Sequence, residues 1–286
     1  MNEIIIYLYQ IAFSLGLFIL ISLGLAIIFG MMGVINLAQG EFIMLGAYFC
    51  LFSTQAGFPF WISVIFASLG VGIFGIIVER LLIRFLYGRI MDTLLATWGL
   101  SLFMVGLVTT IFGPSEAGVE AQLGKIWFGD YSIATYNLVL ILLAFVMLAL
   151  TYCLWRFTKF GLIVRGTMQN PNMSAAMGIN TKLYYMLTFG LGSALTGFAG
   201  AMIAPIVGNQ PTMGVFYVAK AFITVISGGQ LPLMGTFIAS TIFGITDGIV
   251  SFASTQVVGE ICVLLVAILL LRLLPKGITG RFKRGF

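Results

Sequence analysis

Histidine is absent from the chain, and only 8% of its 286 residues are charged. Without histidine the commonest general base and metal ligand is missing, so an intramembrane metalloprotease or a histidine-based hydrolase is not expected. Only three cysteines occur. Cys50, Cys153 and Cys262 fall in apolar runs or at their ends with no C-x-x-C spacing, which reads as small buried hydrophobes rather than a metal or redox site. No G-x-x-x-x-G-K-[ST] loop, nucleophile elbow, H-E-x-x-H or paired-carboxylate constellation is present, so nucleotide hydrolysis and enzyme chemistry are not expected of this chain. A soluble domain carries about 25% charged residues. With 60% hydrophobic residues and a mean hydropathy of +1.13, the solvent for most of this surface has to be lipid.

What is present is a series of apolar runs. A bilayer core about 30 Å thick needs about 20 apolar residues per helix. Spans are expected near 5–29, 41–56, 60–82, 92–112, 134–155, 184–207, 213–228, 233–250 and 258–274. The fold class is therefore all-α: a polytopic membrane protein of about 8–10 segments, a single domain over 1–286, with 41–56, 213–228 and 233–250 as candidate half-helices. The opening "MNEIIIYLYQ" lacks a basic n-region and runs into a span-length apolar stretch, so no cleaved signal is expected.

The net charge of +5 is not a nucleic-acid signal, because the cations lie between spans. Arg80, Arg84 and Arg89 form one cluster. Arg156, Lys159, Arg165 and Lys182 form a second. Arg272, Lys276, Arg281, Lys283 and Arg284 form a third; together these hold 12 of the 14 basic residues. Nine alternating spans place all three on one face, the cytoplasmic one, with the C-terminus inside and the N-terminus outside. The loop 113–133 is then external. Lys220 and Asp247 lie near predicted span ends, close enough to reach the interface, and Glu260 is expected to open the last span, where its charge suits the helix dipole.

Three stretches could carry function. In "GMMGVINLAQGE" (30–41), Gly30 and Gly33 loosen the end of the first span. Asn36, Gln39 and Gly40 stand at i, i+3 and i+4, so they can share a helical face, and Glu41 would open the next helix. Irregular backbone at membrane depth is tolerated only inside protein or along a cavity, so these residues either line a polar route or make a tight interhelical turn. A second break, "SGGQLPLMGT" (227–236), carries Gly228 and Gly229, and two broken segments point by analogy to a translocation site. The third, "RGTMQNPNMSAAMGINTK" (165–182), reads as a short cytoplasmic helix: Asn170 caps it, Pro171 suits its first turn and Gly178 closes it. Met173, Ala176 and Met177 make a small apolar face, either a plug for a groove on another protein or a pad against the chain's own membrane surface.

"GLAIIFGMMGVINLAQGEFIMLGAY" (24–48) resembles the signature of permeases of ABC importers of the branched-chain amino-acid type. "LLATWGLSL" (94–102) after "ERLLIRFLYGR" (79–89), "MQNPNMSAAMGINT" (168–181), and "NQPTMG" (209–214) before "KAFITVISGG" (220–229) are similar to the urea branch. The chain departs from the family pattern at Gln39, often His there, and at Ile90, often Pro. The resemblance implies a bacterial cytoplasmic-membrane importer with a second homologous permease subunit, two cytoplasmic ATPases that bind the ATP and Mg, and an extracytoplasmic solute-binding protein. It makes 156–183 the coupling loop, with Arg165, Gln169, Asn170, Met173, Ala176, Met177 and Gly178 docking an ATPase. Asn36, Gln39, Gly40, Glu41, Gly228 and Gly229 are then the substrate-pathway candidates. The expected function is alternating-access import of urea or short amides, whose neutral donors and acceptors suit Asn36 and Gln39. The alternatives are branched-chain or other neutral amino acids in the same machine, a passive small-amide channel, or a membrane assembly protein without solute flux.

Overall fold

The computed structural model describes residues 2–114, 118–119, 121, 124–128, 131–229 and 231–281, without the side chains of 2–4, 127, 128, 131 and 281. Lys283, Arg284, the Arg281 side chain and Gln230 therefore lie outside the described residues. Among the described residues eleven α-helices follow in order: α1 (Asn2–Met32), α2 (Gln39–Gln55), α3 (Phe60–Leu81), α4 (Ile90–Phe112), α5 (Thr135–Phe157), α6 (Lys159–Gln169), α7 (Pro171–Ala176), α8 (Thr181–Val207), α9 (Met213–Gly228), α10 (Pro232–Ala253) and α11 (Gln256–Leu273). Each expected span is a helix. Seven of them (α1, α3, α4, α5, α8, α10 and α11) are long and apolar enough to cross a membrane, while α2 has 17 residues and α9 has 16. Two of the three candidate half-helices are thus short; the third, α10, is full length at 22 residues.

The expected external loop contains an antiparallel hairpin, β1 (Lys125–Phe128) with β2 (Tyr131–Ala134), in the register Lys125 to Ala134. Aromatic and β-branched residues on both sides of Gly129-Asp130 favour it. Of the cysteines, Cys50 is buried as expected, but Cys153 is exposed and Cys262 half-buried, because α5 and α11 show much of their circumference to the outside.

The helices fall into two compact units. The first comprises Met1–Ser22, Ala121–Leu150 and Lys220–Phe286; the second comprises Leu23–Glu120 and Thr151–Ala219.

In the first unit, α10 lies along α1. A Cβ at Gly244 would meet the Leu15 backbone at 2.5 Å and one at Gly248 the Ile11 backbone at 2.6 Å, so glycine sets this spacing. Tyr7 packs on Phe252 with ring centroids 4.2 Å apart. Asn137 on α5 donates to the Tyr9 hydroxyl at 2.8 Å. Lys220 lies midway along α9 and pairs with Glu260 of α11 at 2.8 Å. Glu260 stands one turn inside α11, which Thr255 caps, so its role is the pair rather than the helix end. Asp247 accepts from Ser251, one turn along α10, at 3.2 Å.

In the second unit, α2, α3 and α8 pack as a trio with α2 innermost; eleven of the 17 residues of α2 are buried. A helix this enclosed carries its small residues where neighbours cross. Gly46 faces the Gly197 backbone of α8, and Gly40 faces Gly214 at the start of α9 so closely that a Cβ would collide with its carbonyl. Phe42 fills the centre edge-on to Phe74 and Phe189, at 5.5 and 6.2 Å.

Candidate functional site

The segment 33–38 that enters α2 is not helical. Gly33 takes φ +66°, a value that favours glycine, and ends α1. Asn36 then forms a turn: its Oδ1 accepts from the Ala38 N–H at 3.1 Å and its carbonyl accepts from the Gln39 N–H at 3.2 Å. The expected helical face over Asn36, Gln39 and Gly40 is thus replaced by a turn. The i, i+3, i+4 spacing fits both geometries, and the local preference of Asn for its own backbone decides between them. The helix opens at Gln39, two residues before Glu41, which occupies its first turn.

This turn is buried together with its amides. Asn36 and Gln39 are fully enclosed. Gln39 donates through Nε2 to Thr196 Oγ1 of α8 at 2.6 Å, and Thr196 donates on to the Gly192 carbonyl at 2.8 Å. The Leu37 N–H is met by Thr97 Oγ1 of α4 at 3.1 Å. Glu41 is 2% exposed. The Ser101 hydroxyl of α4 stands near its carboxyl, and Oε2 has no hydrogen-bond partner. Asn209, between α8 and α9, is buried against α2, donating weakly to the Ala47 carbonyl at 3.4 Å with its own Oδ1 unmatched. Thr97, Ser101, Thr196 and Asn209 thus join the four predicted residues of this stretch. The first two stand in the quoted "LLATWGLSL"; Thr196 sits in a small-residue run that reads only as packing.

Gly228 and Gly229 belong to the other unit. Gly229 adopts φ +86°, and the break is filled by the chain's own C-terminal segment. Thr279 donates to the Gly228 carbonyl at 2.6 Å and accepts from the Leu231 N–H at 3.0 Å. The backbone groups freed there are therefore used internally.

The region 156–183 holds two helices where the sequence signalled one. Thr158 caps α6, accepting from the Gly161 N–H at 3.1 Å. Asn170 then ends α6 and caps α7, accepting from the Met173 N–H at 3.0 Å, with Pro171 in the first turn and Gly178 at φ +81° beyond the end. The cap, the first-turn proline and the closing glycine are where the sequence puts them. Met173 is 61% and Met177 75% exposed, Ala176 and Gln169 are exposed and Arg165 is half-buried; of α7 only Ser174 is buried. A chain of rings leads inward: Trp155 stacks on Phe160 at 5.4 Å, Phe160 meets Tyr184 at 5.8 Å, and Tyr185 meets Tyr87 at 4.6 Å. Tyr87 donates to Glu79 Oε1 of α3 at 2.8 Å. Burial pushes the Tyr87 phenol's pKa up, so it stays a donor.

Seven helices long and apolar enough to cross a membrane, with a buried helix that carries polar groups beside them in sequence, define a polytopic all-α membrane protein. The family described as branched-chain amino acid transport system permease component matches residues 7–274, and the chain belongs to it. It is 27% identical over 303 residues to the high-affinity branched-chain amino acid transport system permease protein LivH of Escherichia coli, covering 98% of each chain. It is 26% identical over 302 residues to the corresponding permease protein BraD of Pseudomonas aeruginosa, again over 98% of each. A more distant relative is the galactofuranose transporter permease protein YtfT of E. coli, 25% identical over 225 residues, 76% of this chain and 62% of that one. No solved structure matches.

Proposed function

We propose that this chain is a pore-forming permease subunit of an ATP-driven importer that moves branched-chain or similar neutral amino acids across the bacterial cytoplasmic membrane. The reading is carried by end-to-end similarity to permeases named for that transport, at 98% coverage of both chains. It puts the amino-acid alternative ahead of the urea reading, which rests on short motifs. The same reading supplies a second permease, two ATPases holding ATP and Mg, and an extracytoplasmic binding protein as partners, and it keeps the C-terminus cytoplasmic with the three basic clusters.

In this mechanism α7 seats Met173 and Met177 in an ATPase. Closure of the ATPase pair pushes on α6 and α7, the aromatic chain passes the displacement to α8 and, through Tyr87, to α3, and the two helices move against the enclosed α2. The expected result in proteoliposomes of the assembled complex is ATP-dependent uptake of leucine in excess of urea. Urea uptake without leucine uptake favours the urea branch instead, and flux of either without ATP favours a passive channel.

Asn36→Leu and Gln39→Leu are each expected to lower uptake about tenfold with the complex still assembled, since each strips hydrogen-bonding capacity from the buried turn. Wild-type uptake by both removes the turn from the pathway.

A further inference from the structure

Four buried side chains in the second unit present oxygen atoms without a hydrogen-bond partner: the hydroxyls of Ser63 and Thr167, and two oxygens that can only accept, Glu41 Oε2 at the start of α2 and Asn209 Oδ1 beside Ala47. An unmatched buried acceptor is costly in a low-dielectric interior, and an ionised carboxylate far more so. Glu41 makes no ion pair with a Lys or Arg of the described residues. The rest of the lining is neutral, from Asn36 and Gln39 to Thr97, Ser101 and Thr196. What these atoms lack is a donor, and no cation of the described residues stands against the carboxyl group.

We infer that Glu41 is the specificity-determining acceptor for the ammonium group of the transported solute, with the side-chain carbonyl of Asn209, beside Ala47, a further acceptor. This rests on the amino-acid reading above and names the part of the solute that α2 recognises. Glu41 Oε2 is left without a partner and so is free for the ligand. A neutral amide has donors but no charge, and would leave the carboxylate uncompensated; a zwitterion's ammonium matches both deficits.

The test uses the complete importer, reconstituted with its binding protein, and compares wild type, Glu41→Gln and Glu41→Asp for leucine uptake and subunit recovery. Gln keeps the shape and the accepting oxygen, so it serves a helix cap as well as Glu does, and removes only the charge. The expected result is at least a tenfold loss of uptake in E41Q with all subunits recovered, and recovery to within about threefold of wild type in E41D. Uptake by E41Q within twofold of wild type overturns the inference. So does failure of E41Q to assemble, which assigns the carboxylate to folding, or a loss in E41D as deep as in E41Q. A wild-type complex that takes up urea and no amino acid overturns the functional reading itself, and that outcome is read before any variant is compared.

Discussion

Replacing both Met173 and Met177 by Asp is expected to cut ATP-driven uptake below about a tenth of wild type and to strip the ATPases from the purified complex, while the permease remains in the membrane. Both side chains stand on a six-residue helix whose backbone depends on neither of them: Asn170 caps it, Pro171 starts it and Gly178 follows its end. Their exposure of 61% and 75% leaves them little to stabilise within this chain. On a partner, burying one methionine contributes about 1.5–3 kcal/mol, so losing two is worth roughly two to four orders of magnitude in affinity. Desolvating two carboxylates in the same groove adds to the loss. Co-purification of the ATPases reads the docking step and uptake reads its consequence. ATPases retained at wild-type stoichiometry would remove α7 from the interface. Asn170→Ala provides a graded companion: loss of an N-cap costs about 1 kcal/mol, so a partial loss of ATPase is expected.

The bundle was legible in the sequence because a span needs only local information, a run of about 20 apolar residues. The cap, first-turn proline and closing glycine of α7 were legible for the same reason. What depends on distant residues was not. Lys220 and Glu260 are separated by 40 positions, and nothing in either neighbourhood announces the other. Thr196 looks like one more small residue in a packing run until Gln39, 157 positions away, is found against it. Local readings failed where two geometries share a spacing, as at Asn36 and Gln39, or where a signal was present and passed over, as with Thr158 before α6 and Gly129-Asp130 between two strands. The solute was not legible for another reason. Amides and glycines in a membrane break suit urea and an amino acid alike, and the partnerless Glu41 Oε2 emerges only when distant helices enclose α2. Gly228 and Gly229 show the converse: a break that looks open in sequence is occupied by Thr279, 51 and 50 positions on.

Glycine replacements test that closure most directly, because the same residue type is expected to give opposite results at two positions. A Cβ at Gly46 would lie 2.7 Å from the Gly197 Cα and closer still to its carbonyl oxygen, so the obstruction is backbone that cannot rotate away. The two helices would have to part along the same crossing where Gly200 meets the Ile43 backbone, and the buried bond from Gln39 to Thr196 would be pulled with them. Overpacking typically costs 1–3 kcal/mol. For Gly46→Ala about 2 kcal/mol is expected, lowering the melting midpoint of the detergent-purified protein by roughly 4–8 °C; Gly46→Leu is expected to yield no monodisperse protein. On α4, a Cβ at Gly106 meets nothing within 4 Å. Gly106→Ala should therefore gain most of the helix-propensity difference of about 1 kcal/mol and melt at or above wild type. The contrast separates glycines that set the distance between helices from glycines that merely interrupt one. Equal midpoints for the two alanine variants would mean that α2 and α8 do not cross at Gly46 and Gly197, and the enclosure of Glu41 would have no support from that side.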